Sequence, residues 1–355
     1  MNIGERLKGA RLRTGLNLRD LAVQVGVSAQ AISKYERGLD TPGSSVLIQL
    51  AQALKVRVEY LMRPVNITLS QPYYRRRAGL SQKDQRTIQS QVQDWLERYL
   101  SIEAIVASQT EFKMPEIKRQ VDIIDDVEQT ALELRHAWNL GLDPIDDLVE
   151  MLEGRGIKVG IVPGADNFDA LTLCANETMP IIVVKDGVPG DRQRFSIAHE
   201  LGHIILIIPP EWQDDQAEKA AYRFAGAFLT PAPAVRQELG ERRQKLDLYE
   251  LHLLKHKYGM SMQAWIHRAH DLGIIPGTVA VGMYKRFRAN NWHREEPGDP
   301  YPPEKLNRLE RLVMRAMVED VISESRAAEL LGTPLSEFWR QASAQHEGFP
   351  LPAYR

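Results

Sequence analysis

At 355 residues the chain can hold two or three domains and at least one sizeable core. With 43% hydrophobic and 26% charged residues, a net charge of −2 and no apolar run near the ~20 residues of a membrane span, no membrane role is expected. The opening MNIGERLKGARLRTGLNLRD lacks the apolar stretch of a secretory signal. The single cysteine, Cys174, excludes a disulfide framework and cysteine-rich zinc sites, and fits a reducing cytoplasm.

Residues 1–65 carry ten basic against five acidic groups, an excess of five on a slightly acidic chain, which suggests a polyanion-binding module. Asn17 is a good cap for a helix over 18–25, and Gly26 ends it. Ser28 caps a second helix reaching Arg37, so the order is helix, short turn, helix. Leu21, Ala22, Val25, Val27 and Ile32 would pack the pair together, leaving Ala29, Gln30, Ser33, Lys34 and Arg37 outside. These side chains suit a major groove, where Gln reads adenine and Lys or Arg reads guanine or phosphate. Arg11 and Arg13 are expected to touch phosphates, which position without specifying.

The segment LRDLAVQVGVSAQAISKYERGLDTPGSSVLIQLAQAL resembles the lambda-repressor-like, or XRE, DNA-binding family over nearly all of 3–63, with Ser28, Ile32, Ser33, Glu36 and Gly38 on its pattern. The resemblance implies five helices, recognition by the helix from Ser28, and a homodimer on a near-palindromic double-stranded operator. Leu18 departs from the Gln or Thr that many relatives place at the start of the first motif helix for a phosphate contact.

Residues 64–80 read as a linker, and helix spacing follows over 81–106 and about 122–139. Pro144 is expected to begin a further helix ending near Gly154. Short β-rich runs at 157–162, 170–173 and 181–184 predict a small mixed sheet.

After the sheet comes FSIAHELGHIIL, an apolar helix carrying three ionisable groups, which is costly to bury without compensation. His199 and His203 lie four apart, one turn above the other on the same side, and can share a zinc ion. Glu200 can reach the attacking water rather than the metal, which gives each fixed letter of H-E-x-x-H a role. Glu218, 15 residues on in a second helix-like stretch, completes a His2Glu set with an open position. Glu211, Asp214, Asp215, His252 and His256 compete as third ligand.

LRHAWNLGLDPIDDLVEMLEGRGIKVGIV, PIIVVKDGVPGDRQRFSIAHELGHIIL and EKAAYRFAGAFLTP together resemble the ImmA/IrrE family of zinc metallopeptidases over about 125–275. That resemblance implies His199, His203 and Glu218 as ligands, zinc or another divalent metal as cofactor, and Glu200 as catalytic base. The family commonly has Asn or Asp four residues after the ligating Glu, supporting a metal-binding His, and here the position is Tyr222.

Residues 245–275 read as helix, glycine turn and capped helix, with His267 and His270 at the surface and LHLLKHKYG at an edge. Residues 289–303 read as a loop or linker. The tail over 304–341 resembles another small helix-turn-helix, but Glu324, Glu329 and Glu337 point to packing or dimerisation rather than DNA.

The expected architecture is mainly α with a small mixed sheet (α+β), with an XRE-type head at 1–65 and a linker and long helix at 66–120. A zincin-like peptidase domain at 121–290 and a helical, helix-turn-helix-like domain at 291–355 follow. Such a chain is expected to be a cytoplasmic DNA-binding regulator with zinc-dependent endopeptidase activity. By family implication it would cut an XRE-type repressor or antitoxin in a stress-response or mobile-element circuit. The alternative is a repressor or antitoxin whose metal domain senses or scaffolds without proteolysis.

Overall fold

The computed structural model describes residues 3–63, 67–70, 81–164 and 168–346, the side chains of 341–346 left aside. Most of the expected linker at 64–80 therefore lies outside the described residues. Five helices form the head: α1 (Ile3–Arg13), α2 (Leu18–Val25), α3 (Ala29–Glu36), α4 (Ser44–Ala53) and α5 (Val58–Met62). Asn17 accepts from the amides of Arg19 and Asp20, Ser28 accepts from Ala31, and Gly26 turns the chain at φ 72°. Only glycine takes that backbone conformation without strain. Leu7, Leu21, Ile32, Leu50 and Leu54 close a separate small core beneath the motif.

Ser81 caps α6 (Gln82–Ile105), the longest helix, through the Asp84 amide. One flank of α6 carries the head: Arg13 pairs with Asp94 at 2.8 Å, Arg6 pairs with Glu97, and Ser90 donates to the Gly9 carbonyl at 2.5 Å. Ile88, Val92 and Leu96 pack on the sheet, and Ile102 packs on the tail.

Beyond α6 lie α7 (Asp126–Ala137) and α8 (Leu148–Glu153). Here the expected helix start at Pro144 is corrected: Asp147 is the cap, its carboxylate accepting from the Glu150 amide at 2.7 Å. A capping carboxylate offers that amide a partner, which a proline ring cannot. Strands β1 (Lys158–Val162), β2 (Ala170–Ala175) and β3 (Met179–Lys185) form one mixed sheet in the order β1-β3-β2. β1 runs parallel and β2 antiparallel to β3. Asn176 and Glu177, at φ 49° and 65°, make the tight hairpin turn that needs positive φ at both central residues. Leu69 bridges to Ala175 on the outer edge of β2.

The helix α9 (Gly190–Ile205) packs under the sheet, and α10 (Asp214–Leu229) packs against α9 and α7. Ile197, Leu201 and Ile205 of α9 meet Phe224 and Phe228 of α10 and Leu134 of α7 in the largest apolar cluster. Next come α11 (Ala232–Leu239), α12 (Leu248–Tyr258), α13 (Met262–Asp271) and α14 (Gly277–Ala289), gathered around the buried Trp265. His267 and His270 are exposed, as expected, but α12 is more than an edge helix, since Leu251, Leu254, Lys255 and Tyr258 are buried. α14 is an element the sequence reading left within undivided chain. Nor is 289–303 a free linker. Glu296 binds Lys255, and the Pro302 backbone lies so close to Gly190 that a Cβ there would sit 2.1 Å from its carbonyl oxygen. The Arg194 guanidinium carbon lies over the Tyr301 ring, 5.6 Å from the ring centroid, and Glu304 pairs with the same arginine.

The tail forms α15 (Asn307–Val318), α16 (Glu324–Leu331) and α17 (Leu335–His346). Ser323 caps α16 and Gly332 ends it in a left-handed turn. Leu312, Val313, Ala327, Leu330 and Phe338 close over Ile102 of α6. No described helix is long and apolar enough to cross a membrane.

Candidate metal centre

Because α9 is helical across the motif, its two histidines share a face. Their Nε2 atoms lie 3.0 Å apart. α10 crosses α9 closely at Gly202, where a Cβ would meet the Phe224 ring at 3.0 Å. That approach brings Glu218, in the second turn of α10, within 3.3 Å of His199 Nε2 and 3.7 Å of His203 Nε2. Ligand atoms of all three residues lie within 4.8 Å of one another, and no other such group occurs among the described residues.

The donor set fits a metal on two counts. A tetrahedral ion with bonds of ~2.0–2.1 Å holds its donors ~3.3 Å apart, close to the spacings found. Burial also holds the His203 imidazolium's pKa down at about 3, against a weaker opposing pull from Glu218. The ring is therefore neutral near pH 7 and its lone pair is available. His199 is buried and its Nδ1 has no hydrogen-bond partner among the described residues. A donor set of two imidazoles and one carboxylate matches zinc, and Glu218, only partly buried, leaves an approach from solvent.

Glu200 is completely buried. Its carboxylate accepts a hydrogen bond from Thr172 Oγ1 at 3.0 Å, from the middle of β2. Sequence reasoning missed Thr172, because a β-branched residue in LTLC reads as ordinary strand. Tyr222 meets His199 through its ring, with centroids 4.5 Å apart, and also lies 5.9 Å from Phe195. More than half exposed, it covers the imidazole rather than bonding to it as an Asn or Asp could.

The competing ligands stand elsewhere. Glu211, Asp214 and Asp215 are exposed ahead of and at the start of α10. The His252 and His256 rings meet edge-to-face on α12, where His256 Nε2 lies 3.1 Å from the Asp299 carbonyl oxygen.

In the head, Gln30, Lys34 and Arg37 are exposed, Ala29 and Ser33 are half-buried, and Ser28 is used as the helix cap. Two expected phosphate contacts need correction. Arg11 is buried and donates to both oxygens of Glu36, at 2.6 and 2.9 Å, and to the Leu16 carbonyl. Arg13 is engaged by Asp94 on α6. Both charges were counted as free because their partners are distant in sequence.

A five-helix head of this kind and a helix pair offering two His and one Glu define a helix-turn-helix protein joined to a zincin-like domain. Comparison with known proteins gives the particular families: residues 7–61 match the helix-turn-helix family, and 153–270 match the peptidase family described as the IrrE N-terminal-like domain. The chain thus joins an XRE-type head to an IrrE/ImmA-like domain. Among similar proteins, an uncharacterised transcriptional regulator in the ATPase CF(0) region of Rhodospirillum rubrum is 39% identical over 59 residues, 17% of this chain and 55% of its own. The HTH-type transcriptional regulator ImmR of Bacillus subtilis is 31% identical over 62 residues, 18% of this chain and 49% of its own. The chain spans about half the length of these curated relatives.

Proposed function

We propose that this protein is a cytoplasmic, DNA-tethered regulator whose second domain is a zinc-dependent endopeptidase. The observation that carries the reading is the convergence of His199, His203 and Glu218 beside a buried Glu200. Zinc held by those three residues would lower the pKa of a coordinated water towards ~7 and polarise a scissile carbonyl. Glu200 would take the proton of the attacking water and pass it to the leaving amine. Thr172 keeps the carboxylate aimed and hydrogen-bonded while it waits.

The head would bind a double-stranded operator, as a homodimer, through Gln30, Lys34 and Arg37, with Ala29 and Ser33 lining the contact. The substrate is an XRE-type repressor or antitoxin, released from control when it is cut in a stress or mobile-element response. One observation favours a second reading, a regulator whose metal domain senses or scaffolds without cutting: Glu200 has no exposed surface.

Metal analysis of the purified chain comes first. About one zinc per chain is expected, lost in His199→Ala and Glu218→Ala and kept in Glu200→Gln. Incubation with XRE-type repressors and antitoxins then separates the readings. Cleavage abolished by Glu200→Gln supports the peptidase, whereas operator binding without cleavage supports the sensor. A wild-type chain that takes up no zinc on reconstitution removes both.

A further inference from the structure

Head, long helix and tail flank an open-mouthed cavity of about 1160 Å³, well away from the His199 cluster. Its walls come from α1, the α4–α5 connection, α5, α6, the end of β1 and the α16–α17 turn.

The charge inside is unbalanced. Asp94 is shared by Arg13 at 2.8 Å and Arg98 at 3.4 Å. Glu329 is shared by Arg63 at 2.5 Å and Arg326 at 2.9 Å, and Glu97 pairs with Arg6. Lys55 and Arg57, exposed on the wall, have no carboxylate partner among the described residues. Seven cations against three carboxylates leave four positive charges around one concavity. Like charges gathered over low-dielectric walls repel one another and focus a field that attracts anions.

Hydrogen bonding is also incomplete there. Four buried atoms of this wall, Gln91 Oε1, Glu97 Oε1, Thr333 Oγ1 and Arg98 Nε, make no hydrogen bond among the described residues, the last lying 3.4 Å from Asp94. Buried polar atoms are rarely left so, and the two carbonyl-type oxygens each need a donor. Tyr60 and Trp95 supply aromatic surface, with Arg6 and Arg13 already 5.1 and 5.6 Å from the Tyr60 centroid. Cationic groups, unanswered acceptors and aromatic rings in one space ask for a ligand with an anion, hydrogen-bond donors and a flat ring. The volume is ample for a small molecule of that kind.

We propose that this interdomain cavity binds a nucleotide. Its phosphates would sit among the arginines with Lys55 and Arg57, and its amino and hydroxyl groups would donate to Gln91 and Glu97. Bound there, it would bridge the DNA-binding head, α6 and the tail.

The test is calorimetric titration of the full chain, kept in EDTA so that phosphate cannot bind through a metal at His199 and His203. The probes are ADP, GDP and UDP, with adenosine and inorganic pyrophosphate as half-ligands. At least one nucleotide is expected to bind with one site per chain, tenfold or more tighter than either half-ligand. A Lys55→Ala/Arg57→Ala double variant should weaken it about tenfold, and Gln91→Leu should weaken it by a similar factor. Lys55 and Arg57 are exposed, so an unchanged unfolding temperature guards against reading misfolding as lost affinity. Absence of saturable nucleotide binding overturns the proposal. So does binding indifferent to all three substitutions, or pyrophosphate or adenosine binding as tightly as the whole nucleotide.

Discussion

Thr172 holds the Glu200 carboxylate by a single hydroxyl, in a setting with no solvent to replace it. Thr172→Val should destabilise the fold by ~1–3 kcal/mol, the cost of losing a hydrogen bond to a buried carboxylate, and Thr172→Ser should restore most of the loss. Thermal unfolding of the two variants checks this, and an equal loss in both would point to packing instead. A second buried carboxylate has a pH signature. Burial pushes the Glu153 carboxyl up to about 7, against the opposing pull of the Tyr99 hydroxyl, Lys158 and Arg308. The folded chain therefore keeps a proton there that the unfolded chain has released, so this group's contribution to stability falls as pH rises from ~4.5 through 7. Glu153→Gln should be close to neutral at pH 5 and stabilising by ~2–3 kcal/mol at pH 8. Denaturant titrations at the two pH values decide it, since an equal difference at both would remove the explanation. Arg11 offers a third contrast. Arg11→Ala breaks a buried pair and should cost the fold ~3 kcal/mol. Lys34→Ala should leave stability alone and weaken operator binding measured by fluorescence anisotropy.

At the scale of elements, the site depends on how closely two helices approach. Gly202 faces the Phe224 ring, and the extra methyl of Gly202→Ala must displace either the ring or the helix. The expected cost is ~1–3 kcal/mol. Because Glu218 rides on the same helix as Phe224, zinc affinity should fall together with stability. A competition titration against a chelating dye would show it, and unchanged affinity would mean that α10 adjusts without moving Glu218. Helix existence was readable from apolar spacing and caps, as α2, α3 and α6 illustrate. The start of α8 was not, because whether Pro144 or Asp147 opens the helix depends on which group reaches a free amide.

For the whole molecule, α6 is the element on which head, sheet and tail all rest. The tail is part of that assembly rather than an appendage. Truncation before Glu304 would expose the apolar face around Ile102 and remove the partner of Arg194. Such a chain is expected to aggregate or to unfold at lower temperature than the intact protein, as light scattering during a thermal ramp would show. An intact unfolding temperature would mean that the head and central domain need no tail.

The sequence by itself determined the mainly helical fold with its small mixed sheet, the helix-turn-helix head, and the placing of two histidines one turn apart on one helix. Those follow from local rules: apolar period, caps, turn residues and the pitch of a helix. Glu218 was legible as a carboxylate on a following amphipathic helix, but its distance to the histidines depended on the close crossing at Gly202. Only the tertiary structure decided that Thr172 holds Glu200, that Arg11 and Arg13 serve Glu36 and Asp94, and that Tyr222 lies over an imidazole. It also brought the arginines of head, long helix and tail around one cavity. The physical reason is common to all of these. A side chain's charge and length are written at its own position, whereas the groups that satisfy it are supplied by segments tens or hundreds of residues away.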